Sequence, residues 1–494
     1  MLDHTTLDRL RATPVAEGRH LIDGQWVGAS DGARMEVISP LDGQVLTTIA
    51  AGTDADAQAA CAAARRAFDD GRWSGLAPAA RKAVLLRWAA LIEAEAEALA
   101  VLGVRDNGTE IGMALKAEPL SAAATIRYYA EAADKHYGQI APTAPGTLGL
   151  VHAEPVGVVA AIVPWNFPLM IGAWKLGPAL AAGCTVVVKP PETASLTLLR
   201  IAELAQTAGL PDGVLNVVTG AGSVVGEALS LSQKVDVVTF TGSGPVGRRL
   251  MQNAGASNLK RVYLELGGKS PNIVFADAPD LDEAAKVSAA GIFRNSGQVC
   301  VAGSRILVER GIHDAFVEKL AAQARATVVG DPLDPATQAG AVNSARQLQQ
   351  NLTFVEEARE QGRTVIGGNR IREETGGYFM EPTIVTGVDP ADRLAQEEVF
   401  GPVVAVIPFD TEDEAIAIAN GTDYGLAAAV WTSDLSRAHR MVARIRAGVV
   451  HVNTYGGADL TVPLGGVGQS GNGHDKSLHA LDKFLNLKTA WIKL

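Results

Sequence analysis

The chain has 494 residues, 47% of them apolar and 20% charged, which describes a folded globular protein too long for a single hydrophobic core. Its 52 glycines and 23 prolines follow no period, so collagen, linker arrays and bulk disorder are excluded and two or three domains are expected. A net charge of −11 argues against nucleic acid, whose recognition rests on clustered Lys and Arg.

The first residues, MLDHTTLDRLRATP, place Asp3 and Asp8 where a signal peptide needs an apolar run. The uncharged apolar stretch between Lys175 and Lys189 is broken by Gly177, Pro178 and Gly183 and is too short to cross a bilayer. A cytoplasmic protein without membrane contact is expected. After an extended start, residues 55–68 and 79–101 are Ala-rich with apolar residues at helical spacing. Residues 137–155 turn to Gly, Pro and Thr around a short run at 148–152, a pattern that suggests an arm.

From Val156 strands and helices alternate. β-branched runs at 156–163, 185–189, 215–220, 235–242 and 261–266 enclose helical stretches at 169–181, 195–208, 223–231 and 246–253. Gly209 followed by Pro211 stops one of these helices. Such alternation predicts βαβ crossovers and a parallel sheet, with ligands at the carboxyl ends of its strands. A second series begins near Pro271, with strands PNIVFA, RILVE, TVIGG, VVAVIPF and GVVHVN and helices at 284–293, 313–327, 345–361 and 412–420. The run 488–494 reads as a strand without an obvious local partner.

Gly242-Ser243-Gly244-Pro245-Val246-Gly247 matches G-x-G-x-x-G between a strand and a helix. It is either a plain turn or a seat for a pyrophosphate at a helix N-terminus. An ordinary dinucleotide fold would then put a ribose-binding acid at the end of the next strand, where Glu265 stands. Lys189 and Glu192 end another strand, as ribose ligands or as solvated loop charges. The cysteines Cys61, Cys184 and Cys300 are too scattered for a disulfide framework, and neither they nor the nine histidines have metal-ligand spacing. Cys61 and Cys184 sit in apolar runs and read as packing residues. Cys300 follows Asn295, Ser296, Gly297 and Gln298, a polar surround that suits a reactive thiolate, although an inert thiol fits the spacing equally. Two prolines bracket Asn166 in PWNFP, so it is a fixed oxyanion donor or a turn residue beside a Trp/Phe plug.

Taken together, PWNFP, VVVKPPE, FTGSGPVG, LELGGKSPNIVF, FRNSGQVC, QEEVFGPV and PLGGVGQSGNG resemble the aldehyde dehydrogenase superfamily, in its order and over nearly the whole chain. The resemblance implies an α/β fold in three parts. These are a Rossmann-type NAD-binding domain (1–136 and 156–266), an α/β catalytic domain (267–475) and a small β oligomerisation arm (137–155 and 476–494) in a homodimer or homotetramer. It implies Cys300 as nucleophile, Glu265 as general base, Asn166 as oxyanion donor, and Lys175 with Asp475 near a proton path. Ile162, Trp165, Lys189, Glu192, Phe240, Gly242, Ser243, Gly247, Leu266, Glu398 and Phe400 would surround the cofactor. Glu192 favours NAD over NADP, because a 2′-phosphate would meet its charge.

The chemistry implied is oxidation of an aldehyde through a thiohemiacetal and a thioester. Glu265 would activate the hydrolytic water, which favours a free acid over a coenzyme A thioester. Phe167, Ile171, Trp174, Val299 and Val301 match positions lining the aldehyde tunnel. The tail SGNGHDKSLHALDKF is similar to the ω-aminoaldehyde branch, for which Asp459 would pair with a substrate cation or else be a solvated loop acid. Leu464, Val467, Gly468 and His474 depart from that branch. The competing readings are a conventional Rossmann dehydrogenase, with Glu265 on the ribose and no covalent step, and a non-catalytic binding protein on the same fold.

Overall fold

The computed structural model describes residues 3–456 and 459–494. Five of the expected runs form parallel strands, ordered Arg261–Glu265, Val237–Thr241, Val158–Ile162, Thr185–Lys189 and Leu215–Val217. Four of these strands are buried at every position, because helices cover both faces and no solvent side remains to need a polar residue. The chain enters at Val158–Ile162, runs outward to Leu215–Val217, then returns to the other flank with Val237–Thr241. That reversal opens a crevice at the carboxyl ends of the central strands.

The N-terminal region is less helical than its composition suggests. The hairpin His20–Ile22 and Gln25–Val27 extends the first sheet antiparallel to Leu215–Val217, and Arg34–Ile38 pairs with Val45–Ala50. The stretch expected as one helix at 79–101 is two, Pro78–Ala94 and Ala96–Asn107, meeting at Glu95.

A second seven-stranded sheet runs Thr364–Ile366, Thr383–Thr386, Val403–Phe409, Arg305–Glu309, Pro271–Val274, Ala427–Trp431 and Val449–Val452, parallel except at its first edge. Two of these strands were not expected. Ala427–Trp431 opens with three alanines, poor strand formers, yet it is buried throughout between two neighbours. The sheet around it overrides the propensity.

The strand Leu485–Lys493 finds its partner within the chain. It pairs antiparallel with Thr147–Pro155, whose other edge holds Gln139–Ala141. This three-stranded ribbon leaves Leu487, Trp491 and Leu494 exposed. Among the described residues no helix is long and apolar enough to cross a membrane.

Candidate active site

The helix Leu281–Phe293 runs into a tight turn in which Asn295, Ser296 and Gly297 all have positive φ, at 49°, 50° and 73°. Two of the three carry side chains, so the turn is strained and has to be held from outside. Thr109 Oγ1 donates to Asn295 Oδ1 at 2.8 Å, Asn295 N donates to Glu110 Oε1 at 3.2 Å, and Ser296 Oγ donates to Gly340 O at 2.8 Å. Gln298 spans the turn, donating to Asn295 O at 3.0 Å and accepting from Asn343 N at 2.8 Å. Cys300 emerges from this scaffold partly exposed, while Cys61 and Cys184 are buried.

Asn166 lies on the same turn. Its Nδ2 donates to Gln298 O at 2.9 Å, and Asn295 Nδ2 donates to Asn166 O at 3.3 Å. That bond uses one of the two amide hydrogens and leaves the other for a second acceptor. The prolines of PWNFP act as expected, Pro168 occupying the first turn of the helix Pro168–Ala182.

The environment of Cys300 differs in sign from the expectation of a ready thiolate. Burial pushes the thiol up to about 12, and the charges of Glu398 and Glu265 push the same way. Cys184 is likewise raised to about 12 by burial, with its Sγ 3.4 Å from Phe484 O, so the thiol's accessibility is what separates Cys300 from its counterparts.

Glu265 ends the edge strand Arg261–Glu265 and enters a cluster of buried charges. Lys175 Nζ lies 3.1 Å from Asp475 Oδ2 and 3.4 Å from Thr239 Oγ1, and Lys483 bonds the other oxygen of Asp475. Glu265 Oε1 is buried without a hydrogen-bond partner. Burial raises its pKa well above the ordinary carboxylate value, Asp475 adds to the rise, and Lys483 and Lys175 oppose it. Lys483 was not expected here, although it lies within the tail SGNGHDKSLHALDKF.

Glu398 reaches Cys300 from the loop ahead of the strand Val403–Phe409. Its Oε1 accepts from Gly268 N at 3.0 Å, and a Cβ on Gly267 would fall 2.0 Å from Oε2. The two glycines of LELGGKS are thus a seat shaped for this carboxylate. A Cβ on Gly268 would also come 2.7 Å from Cys300 O, which brings all three segments together. Burial raises Glu398 to about 7, against the Gly268 N–H and Lys269. Phe400, next but one, has φ of 58° and packs edge-on against Trp165 with ring centroids 5.2 Å apart.

The remaining cofactor candidates lie along the crevice. Ile162, Phe240 and Leu266 share one apolar cluster. Lys189 Nζ is 3.4 Å from Glu192 Oε1, and that oxygen also accepts from Gly222 N. Gly242 is required because a Cβ would strike the Phe240 ring at 2.4 Å, and Gly247 lets its helix settle on Leu264 and Leu266. Ser243 is the exposed N-cap of the helix Gly244–Ala256 and makes no side-chain cap bond, so hydroxyl and helix N–H groups face outward.

Phe167, Ile171 and Val299 are buried in one cluster, with Trp174 and Val301 packed against it. Tyr455, which the motifs did not point to, donates from its hydroxyl to Val301 O at 2.6 Å. Asp459 is exposed and accepts from Thr461 N and Oγ1 at 2.8 and 2.7 Å, and its charge acts on Lys476, whose ammonium lies 6.0 Å from the Trp174 ring.

Residues 26–490 match the aldehyde dehydrogenase family, and the chain belongs to it. It is 50% identical over 478 residues to the NADP/NAD-dependent aldehyde dehydrogenase PuuC of Escherichia coli, covering 97% of this chain and 96% of the other. It is 45% identical over 475 residues to aminoacetaldehyde dehydrogenase of Pseudomonas aeruginosa, covering 96% and 95%. Among solved structures, the γ-glutamyl-γ-aminobutyraldehyde dehydrogenase of Burkholderia cenocepacia superposes with a TM-score of 0.97 at 52% identity over the full length of both chains.

Proposed function

We propose that this protein oxidises an aldehyde to its carboxylic acid by covalent catalysis at Cys300, with NAD⁺ as hydride acceptor. The observation that carries the reading is a thiol on a braced turn beside a spare amide hydrogen of Asn166 and an unbonded carboxylate oxygen of Glu265. The Cys300 sulfur gives its proton to a water in the site and attacks the carbonyl carbon, and the oxyanion accepts from Asn166 Nδ2 and the Cys300 N–H. The cofactor, when bound, supplies the acceptor for the hydride that leaves this carbon. Glu265 then takes a proton from water, whose oxygen attacks the thioester and expels the thiolate as the carboxylate product forms. Lys175, Asp475 and Lys483 give that proton a path away from the carboxyl.

The residues fit a dinucleotide. Glu192 with Lys189 suits a ribose, the open helix start at Ser243 suits a pyrophosphate, and the Glu398 seat against Gly267 and Gly268 suits the nicotinamide ribose. The negative charge of Glu192 favours NAD⁺ over NADP⁺, although PuuC is described as using both. The similarity to proteins named for aminoacetaldehyde and γ-glutamyl-γ-aminobutyraldehyde supports an ω-amino or medium-length aliphatic aldehyde as substrate. The first sheet serves as the cofactor domain, the second as the catalytic domain, and the exposed three-stranded ribbon as the arm of a cytoplasmic homodimer or homotetramer. A panel of straight-chain, aromatic and ω-amino aldehydes with both dinucleotides tests the reading. NADH formation that disappears in Cys300→Ala is expected, and turnover surviving that substitution would falsify covalent catalysis.

A further inference from the structure

Ser344-Ala345-Arg346-Gln347 opens the helix Ala345–Glu360 with the pattern of a reciprocal cap, in which Ser and Gln each bond the other's backbone N–H. Only half of it forms. The Ser344 hydroxyl accepts from Gln347 N at 3.3 Å, but the Gln347 amide turns to another loop. There it donates to Val399 O at 3.0 Å and Phe400 O at 3.3 Å. Asn351, one turn further on and buried, completes the grip. Its Oδ1 accepts from the same Gln347 Nε2 at 2.9 Å.

The gripped turn is strained. Phe400 has a left-handed φ of 58°, which is unfavourable for a bulky side chain unless its surroundings impose it. The next residue, Gly401, has no room for a Cβ, which would lie 2.3 Å from Asn351 Nδ2. On its far side the turn presses on the nucleophile loop, because a Cβ on Gly297 would fall 2.0 Å from Gly401 O. The helix therefore gives up half of its cap to hold a turn that carries Glu398 at one end and Phe400 at its centre. Local rules broken in this way mark places where function overrides local stability.

We propose that Gln347 is a positioning residue for cofactor binding. Its amide nitrogen, shared with Asn351 Oδ1, holds the Val399 and Phe400 carbonyls, and through them sets Glu398 on Gly268 and the Phe400 ring on Trp165. The proposal rests on the reading of Glu398 and Phe400 as residues of the nicotinamide side. What the position needs is a donor on a stem of this length; a carboxylate would repel both carbonyls.

Steady-state kinetics of three variants of the full chain test this. Gln347→Leu keeps the volume and removes both donors, and should raise KM for NAD⁺ about tenfold while KM for the aldehyde stays unchanged and kcat falls less than about threefold. Gln347→Lys restores a donor and should recover most of the loss. Equal losses in the Leu and Lys variants, or a fall in kcat with KM for NAD⁺ unchanged, would overturn the proposal and leave Gln347 a structural residue. Glu398→Gln, measured in parallel, separates the two levels. If it leaves NAD⁺ kinetics intact, the reading of Glu398 fails. If it disturbs them while Gln347→Leu does not, the proposal for Gln347 alone fails.

Discussion

Glu265 and Glu398 both act electrostatically on Cys300, one from the end of a strand in the first sheet and one from the loop ahead of the strand Val403–Phe409, and they are built in opposite ways. Glu398 is bonded to a backbone N–H and seated where two glycines leave room for it. Glu265 keeps one oxygen unbonded inside a cluster of two lysines and an aspartate. Burial raises both carboxyls. The difference lies in what each is free to do. A side chain that holds a ligand is best fixed, whereas one that takes a proton from water needs an oxygen that nothing else occupies and neighbours that can pass the proton on.

The largest expected effect tests that freedom directly. Glu265→Gln should lower steady-state turnover about 10²–10⁴-fold, the range for loss of a general base, while one equivalent of NADH still appears in the first turnover. Rapid mixing with chromatographic detection of an acylated Cys300 peptide checks it. Loss of the first turnover as well would move Glu265 from the hydrolytic step to activation of the thiol. Weakened NAD⁺ binding without an acyl-enzyme would return it to the ribose role of an ordinary dehydrogenase.

How much of this contrast was legible in the sequence depends on the range of the cause. The strands of the first sheet and the helices between them follow from local β-branched and alanine-rich runs. Ala427–Trp431 did not, because three alanines become a strand only between two formed neighbours. The motif residues were found by type and order, and the reason for the GG of LELGGKS became visible only as the space that Glu398 fills. The strain of the Asn295–Ser296 pair has no local sign, since the partners that hold it, Thr109, Glu110 and Gly340, lie far away in the chain. The upward shift of the Cys300 thiol was not legible for a related reason. A polar neighbourhood in sequence says nothing of the two carboxylates that converge on Cys300 from elsewhere.

A smaller effect would sharpen the comparison from the side of Glu265. Asp475 raises the Glu265 pKa, so Asp475→Asn should let it fall, and the acid limb of the pH–rate profile should move down by about one unit. Lys483 acts in the opposite sense, so Lys483→Met should move that limb upward. Profiles that shift the same way in both variants would mean that the limb belongs to another group. Melting scans should accompany the Asn variant, because it leaves Lys175 and Lys483 buried with less compensation.

Glu118 supplies the control with the smallest effect on activity. It is buried like the other two, but its one bonded oxygen accepts from Met170 N at 2.9 Å, near the start of the helix that carries Ile171, Trp174 and Lys175, and its Oε1 has no partner. Burial raises its pKa to about 8. Between the ordinary value of about 4.5 and 8 the folded chain therefore binds more protons at this site than the unfolded chain. Its contribution to stability is complete below that window and is lost as pH rises through it. Glu118→Gln imitates the protonated form. It should match the parent's Tm at pH 5, exceed it at pH 8.5 by the equivalent of roughly 1–3 kcal/mol, and change kcat less than twofold. If activity instead falls as far as in Glu265→Gln, an unbonded oxygen on a buried carboxylate is no mark of the base, and the contrast between Glu265 and Glu398 loses its meaning.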